Sequence, residues 1–203
     1  MSAEKTILKL KLPTDPLWVK NVVESNIEEI LTDHAYCEQK AASNAITLII
    51  QNPNISELVQ EMAELAKEEM DHFKRVHDII LQRGYTLGKE RKDNYVNELI
   101  KFATKGGGEG QRIENMVDRL LLAAMIEARS CERFKVLSEH VDDKELAGFY
   151  HELMISEAGH YTLFIGLARK YGVGIDVEKR WLEWLSYEGE MIKNYGKSET
   201  IHG

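Results

Sequence analysis

The sequence predicts an all-α protein: four long helices in two antiparallel pairs, one long crossover between the pairs, and an additional helix at the C-terminus. Three observations predict it. The three prolines stand at 13, 16 and 53, so residues 54–203 contain no proline to break a helix. Apolar residues recur with a period near 3.6 in four long stretches. Finally, the connections inside each pair are short, whereas the stretch 85–112 is long, which a plain up-and-down bundle with three short loops would not need.

The elements follow in order. After an N-terminal arm over 1–15, a helical pattern runs from about 17 to 51, with Ile27, Ile30, Leu31, Ala35, Ala42, Ala45, Ile46 and Ile49 on its apolar positions. Asn52-Pro53-Asn54 stops it, and Ser56 is placed to cap the next helix with Glu57 in its first turn. That second helix carries Leu58, Met62, Leu65, Phe73, Val76 and Ile80 and ends near Gly84. The crossover 85–112 has room for a short helix around 93–104, followed by a flexible glycine-rich loop over 104–110. A third long helix is expected over 113–139. Asp142-Asp143 opens a fourth that runs to about 171, where Gly172 and Gly174 end it. A last amphipathic helix, about 176–194, presents Trp181, Trp184 and Leu185 before a flexible tail over 195–203. One crossover between two helix pairs is the layout of ferritin-like four-helix bundles, and 203 residues suit a single domain of that kind, spanning 1–203.

Composition narrows the function classes. An apolar share of 43% with 30% charged residues describes a soluble globular chain. A formal charge of −8 argues against nonspecific nucleic-acid binding as the main task, because phosphate affinity rests on Lys and Arg. The segment Lys74–Arg119 departs from that balance, with ten Lys/Arg against seven Asp/Glu. Cys37 and Cys131 form neither a CxxC knuckle nor a disulfide framework. No stretch resembles a signal peptide or reaches the roughly twenty apolar residues of a membrane span, so a cytoplasmic protein without a membrane partner is expected.

Each apolar stripe contains a glutamate. Glu38 falls between Ala35 and Ala42, Glu69 between Leu65 and Phe73, Glu127 between Ala124 and Cys131, and Glu157 between Leu153 and His160. His72 and His160 stand three residues after the second and fourth of these glutamates, one helical turn on. Glu38 precedes Glu69 by 31 residues and Glu127 precedes Glu157 by 30, so hairpins of nearly equal length would bring all six groups to one level. The pair Glu199 and His202 has the same local spacing without that repeat. Burying an unpaired carboxylate costs several kcal/mol or more, and shared cations supply the compensation. Four carboxylates with two imidazoles suit iron or manganese better than structural zinc. Glu68 points about 100° away from Glu69, and Glu132 would spoil the equal hairpin offsets, so neither is expected to ligate.

The motifs DHAYCEQKAASNA (33–45), KEEMDHF (67–73), IEARSCERF (126–134) and SEAGHY (156–161) resemble one branch of the ferritin-like di-iron carboxylate superfamily. This branch comprises the tRNA hydroxylases that oxidise the isopentenyl side chain of 2-methylthio-isopentenyl-adenosine beside the anticodon. The resemblance covers about 16–172. It implies that Glu38, Glu69, His72, Glu127, Glu157 and His160 bind two iron ions. It also implies that O2 is the co-substrate and that the anticodon loop of tRNA is the partner. A separate electron-donor protein is expected because no flavin or iron–sulfur motif is visible.

Around this set, His34 could line the substrate approach, support a ligand, or stand by as a hydrogen-bonded core histidine. Arg129 and Arg133 could pair with a carboxylate beside the site or contact phosphate. Lys89, Arg91, Lys92, Lys101, Lys105 and Arg112 are candidates for tRNA-backbone contacts. The alternative readings are a ferritin-like iron-storage or ferroxidase protein, a peroxidase, and a metal-free bundle whose glutamates pair with arginines.

Overall fold

In the computed structural model, residues 6–103, 111–193 and 201 are described. Among them there are six α-helices, one π-helical turn and no strand. The helices are α1 (Ile27–Gln51), α2 (Ser56–Gln82), α3 (Asn94–Phe102), α4 (Arg112–His140), α5 (Lys144–Tyr171) and α6 (Val177–Ile192). None of them is long and apolar enough to cross a membrane.

Most expected boundaries move by one or two residues, but the start of the first helix moves by ten. Residues 19–23 form a π-helical turn, and α1 begins only after Asn26, whose backbone is non-helical at φ −138°, ψ 38°. Ser and Asn are weak formers of helix interiors, and the apolar spacing alone does not register that preference. Glu28 and Glu29 then occupy the first turn of α1, where the helix dipole favours acids.

The expected cap of α2 is also displaced. Ile55 holds the N-cap position and Ser56 is the first helical residue, because the Ile55 N–H closes a turn onto the Asn52 carbonyl and starts the helix one residue early. The exit from α2 follows the glycine rule. Gly84 adopts φ +74°, its N–H bonds the Leu81 carbonyl, and the Tyr85 N–H bonds that of Ile80. Asp93, Asp143 and Asp176 cap α3, α5 and α6 through their carboxylates.

The chain divides into two compact units. One contains Ser25–Lys92 and Ile201, and its centre is the α1–α2 hairpin. Ile30, Leu31, Ala35, Ala42, Ala45 and Leu48 are buried from α1, with Leu58, Met62, Leu65, Val76 and Ile80 from α2. Ile46, expected in the stripe, is 50% exposed; Leu48 fills the next inward position instead. Past Gly84 the chain returns along α1. Tyr36 donates to the Gly88 carbonyl, the Gly88 N–H reaches Thr32 Oγ1, and Lys40 donates to the Arg91 carbonyl. At Gly88 a Cβ would lie 3.2 Å from the Thr32 methyl, so the small residue permits this close approach. Within the expected tail, Ile201 is fully buried and its N–H donates to Asp33 Oδ2 at 2.7 Å, an anchor at a position expected to be flexible. The rest of that tail, 195–200 with 202 and 203, and the expected loop 104–110 lie outside the described residues.

The other unit holds α3 to α6 and the N-terminal arm. Leu120, Ala124 and Phe134 of α4 are buried, as are Leu146, Tyr150, Leu153, Phe164 and Leu167 of α5, and Phe134 stacks on Tyr150 with ring centres 5.4 Å apart. Trp181, Trp184 and Leu185 of α6 are buried, as their spacing suggests. The arm is tied to α4 at two places. Thr14 donates its N–H and hydroxyl to Glu132, and the Leu12 carbonyl accepts from Arg129. At Gly189 of α6 a Cβ would come within 2.7 Å of Lys11 Cβ, so the arm crosses α6 where no side chain intervenes.

Candidate metal centre

Helical periodicity places Glu38 on the α1 face that buries Ala35 and Ala42, and places Glu69 and His72 on the α2 face that buries Leu65 and Val76. All three polar groups are at most 4% exposed. His72 Nδ1 lies 3.6 Å from Glu38 Oε2 and 3.5 Å from Glu69 Oε2. One ligand atom from each of the three falls within 4.8 Å of the others. His34, one turn before Glu38 and fully buried, approaches Glu38 Oε1 at 2.6 Å.

These neighbours govern the charge states. Burial pushes the Glu38 carboxyl upward, but hydrogen bonds from His34 and His72 outweigh it and leave the group well below the usual carboxylate range. Burial lowers His72, while Glu38 and Glu69 raise it more, to about 10.

The second unit builds a matching trio. Glu127 of α4 and Glu157 and His160 of α5 are each at most 5% exposed. His160 Nδ1 stands 4.0 Å from Glu127 Oε2 and 3.9 Å from Glu157 Oε2. Here too one ligand atom from each group lies within 4.8 Å of the others. Within each trio two carboxylates face one imidazole, so even a protonated histidine leaves excess negative charge in a buried place. A cation preferring oxygen with some nitrogen fits that donor set, and iron and manganese have that preference.

The other candidates separate cleanly. Glu68 is half exposed and lies 3.9 Å from His72 Nε2, on the outer side of the helix. Glu132 is buried, but its oxygens serve Thr14 and Arg129. Arg129 is fully buried and donates to Glu188 Oε1 from Nε at 2.9 Å and from Nη2 at 2.5 Å, so pairing with a carboxylate is its role and phosphate contact is not. Arg133 is 1% exposed and lies over the Trp18 ring, 4.2 Å from its centre, equally out of reach of RNA. Burial, then Glu132 and Glu127, push the Cys131 thiol up to about 12, which makes it an inert packing group.

The described RNA-contact candidates lie on the segment after α2, on α3 and at the start of α4. Lys89 and Lys92 are exposed on the segment after α2, while Arg91 between them pairs with Glu29. Lys101 is exposed and pairs with Glu98 one turn away, and Arg112 is exposed at the start of α4. Lys105 lies outside the described residues.

Sequence reasoning did not single out Glu188, which is fully buried on α6 and accepts from both Arg129 and Tyr95. The same signal that marks the other inward glutamates marks this one: it continues the stripe of Trp181, Trp184 and Leu185.

Comparison with known proteins adds the relatives. The family model of tRNA-(MS2IO6A)-hydroxylase (MiaE) matches residues 2–203. A tRNA 2-(methylsulfanyl)-N(6)-isopentenyladenosine(37) hydroxylase of Pseudomonas putida is 36% identical over 193 residues, covering 95% of this chain and 91% of the relative. The hydroxylase of the same name from Salmonella typhimurium is 25% identical over 241 residues, covering 95% and 87%. Among solved structures, a Synechococcus protein with aldehyde deformylating oxygenase activity superimposes with a TM-score of 0.84 at 30% identity, covering 97% of this chain and 96% of that one. That likeness identifies the fold as ferritin-like, the all-α class expected from the helix order.

Proposed function

The chain belongs to the tRNA-(MS2IO6A)-hydroxylase family, and on that premise we propose that it hydroxylates the isopentenyl side chain of 2-methylthio-isopentenyl-adenosine in tRNA. The match along residues 2–203 carries this reading. The two buried trios of carboxylate, carboxylate and histidine support its chemistry.

Glu38, Glu69 and His72 from one hairpin, with Glu127, Glu157 and His160 from the other, would hold two iron ions. Bound there, the irons supply activation of O2 for attack on an unactivated C–H bond. The chain's own residues perform the remaining tasks. The carboxylates neutralise the cations, and the histidines complete the donor set. The apolar neighbours Ala35, Leu65, Ala124 and Leu153 exclude water from the groups they flank.

A base beside the anticodon can leave its stack and enter a pocket, which gives a prenyl group access to such a centre. Of the basic candidates, Lys89, Lys92, Lys101 and Arg112 are exposed and would be available to an RNA backbone. Reducing equivalents come from a separate protein, and a tRNA substrate places the enzyme in the cytoplasm.

The reading is tested on tRNA nucleosides from cells that lack the protein. The hydroxylated nucleoside should be missing, and the wild-type chain should restore it while a Glu127→Ala chain does not. Unchanged side-chain hydroxylation in the deficient cells would overturn the assigned substrate.

A further inference from the structure

The His34–Glu38 contact says more about the centre than a ligand roster does. His34 is fully buried on α1, and its Nε2 lies 2.6 Å from Glu38 Oε1. The two residues are four apart on one rigid helix, so the backbone fixes their approach. An ionised carboxylate can only accept hydrogen bonds, so the short contact is an N–H donated by His34. The other oxygen, Oε2, is turned toward His72 Nδ1 at 3.6 Å, on the side where Glu69 also stands. The two oxygens of Glu38 therefore face different partners. His34 is absent from the cluster of ligand atoms that Glu38 and Glu69 share.

We propose that His34 is a positioning residue that holds Glu38 Oε1 and leaves Oε2 as that carboxylate's metal-binding atom. Glu38 then binds through one oxygen rather than chelating through both. Groups behind metal ligands act in this manner, by fixing the orientation and the free lone pairs of the ligand. The inference rests on the reading of Glu38 as a ligand and extends it to the binding mode.

The variants His34→Gln, His34→Asn and His34→Leu separate this role from a packing role. A glutamine amide reaches the place of Nε2, whereas an asparagine amide reaches only that of Nδ1. Metal-free protein is titrated with Co(II), following stoichiometry, affinity by chelator competition, and the visible absorption of the bound ion. Wild type and His34→Gln should take up two ions per chain with the same spectrum. His34→Asn and His34→Leu should hold one of the two ions on the order of ten- to a hundredfold more weakly, with an altered spectrum.

Matching affinity and spectrum in the asparagine and leucine variants would overturn the proposal while leaving the metal centre in place. Failure of His34→Gln alongside the other two would also overturn it, since the imidazole itself would then be required. If wild type takes up no Co(II), the metal-centre reading fails and this inference falls with it. Should the leucine variant lose its helical circular dichroism, the glutamine–asparagine pair decides the matter, because the two differ by one methylene.

Discussion

Glu157 illustrates how a residue can harm the protein alone and serve it when loaded. It is 3% exposed, and its carboxylate lies within 4.8 Å of ligand atoms of Glu127 and His160. Two like charges so close in a buried place repel each other, and the repulsion stays until a cation joins them. Replacing Glu157 by Gln removes one charge and keeps the shape. The metal-free variant is expected to be more stable than metal-free wild type by on the order of 1 kcal/mol, read from urea unfolding in the presence of a chelator. The same variant should lose iron and the hydroxylated nucleoside. A variant less stable than wild type under metal-free conditions would mean that the carboxylates are already compensated without ions. Residue-scale chemistry was largely legible beforehand, since an acid inside an apolar stripe is visible in the chain itself. Glu38, Glu69, Glu127 and Glu157 were found by that signal, and all four are buried.

At the scale of elements, the tie between α4 and α6 and the arm carries the larger energetic stake. Arg129 meets Glu188 of α6, Glu132 one turn along α4, and the Leu12 carbonyl of the arm. Removing one partner of a buried pair leaves the other charge stranded, at a typical cost of about 3–5 kcal/mol. Arg129→Ala strands both Glu188 and Glu132, so its unfolding midpoint should fall by that order of free energy, and the arm should become open to protease. A shift below about 1 kcal/mol, the usual size for an exposed pair, would contradict the buried network. Which residues pair in this tie was not legible from spacing. Arg129 and Glu188 are 59 residues apart and Thr14 and Glu132 are 118 apart, and local periodicity carries no information about such pairs. The boundary at Asn26 was missed for a different reason: the apolar pattern continues smoothly into α1 while the backbone does not.

At the scale of the whole molecule, metal and fold should be thermodynamically linked. An ion that binds the folded chain at a hundred times its dissociation constant adds about 2.7 kcal/mol of stability. Unfolding of the wild-type protein should therefore shift to higher temperature as Fe(II) is added without O2, and chelation should reverse the shift. Saturation at two irons per chain is expected; hundreds per chain would instead describe a storage protein. The sequence by itself determined the all-α class, the four long helices, the long crossover and the inward glutamates with their histidines. Those features follow from helical periodicity and burial cost, which act between residues a turn apart or within a hairpin. Only the tertiary structure decided that Arg129 answers Glu188, that Ile201 returns to Asp33, and that His34 takes one oxygen of Glu38 and leaves the other. Each of those outcomes depends on distances of a few tenths of an ångström between side chains or on partners far apart in the chain, and a one-dimensional pattern encodes neither.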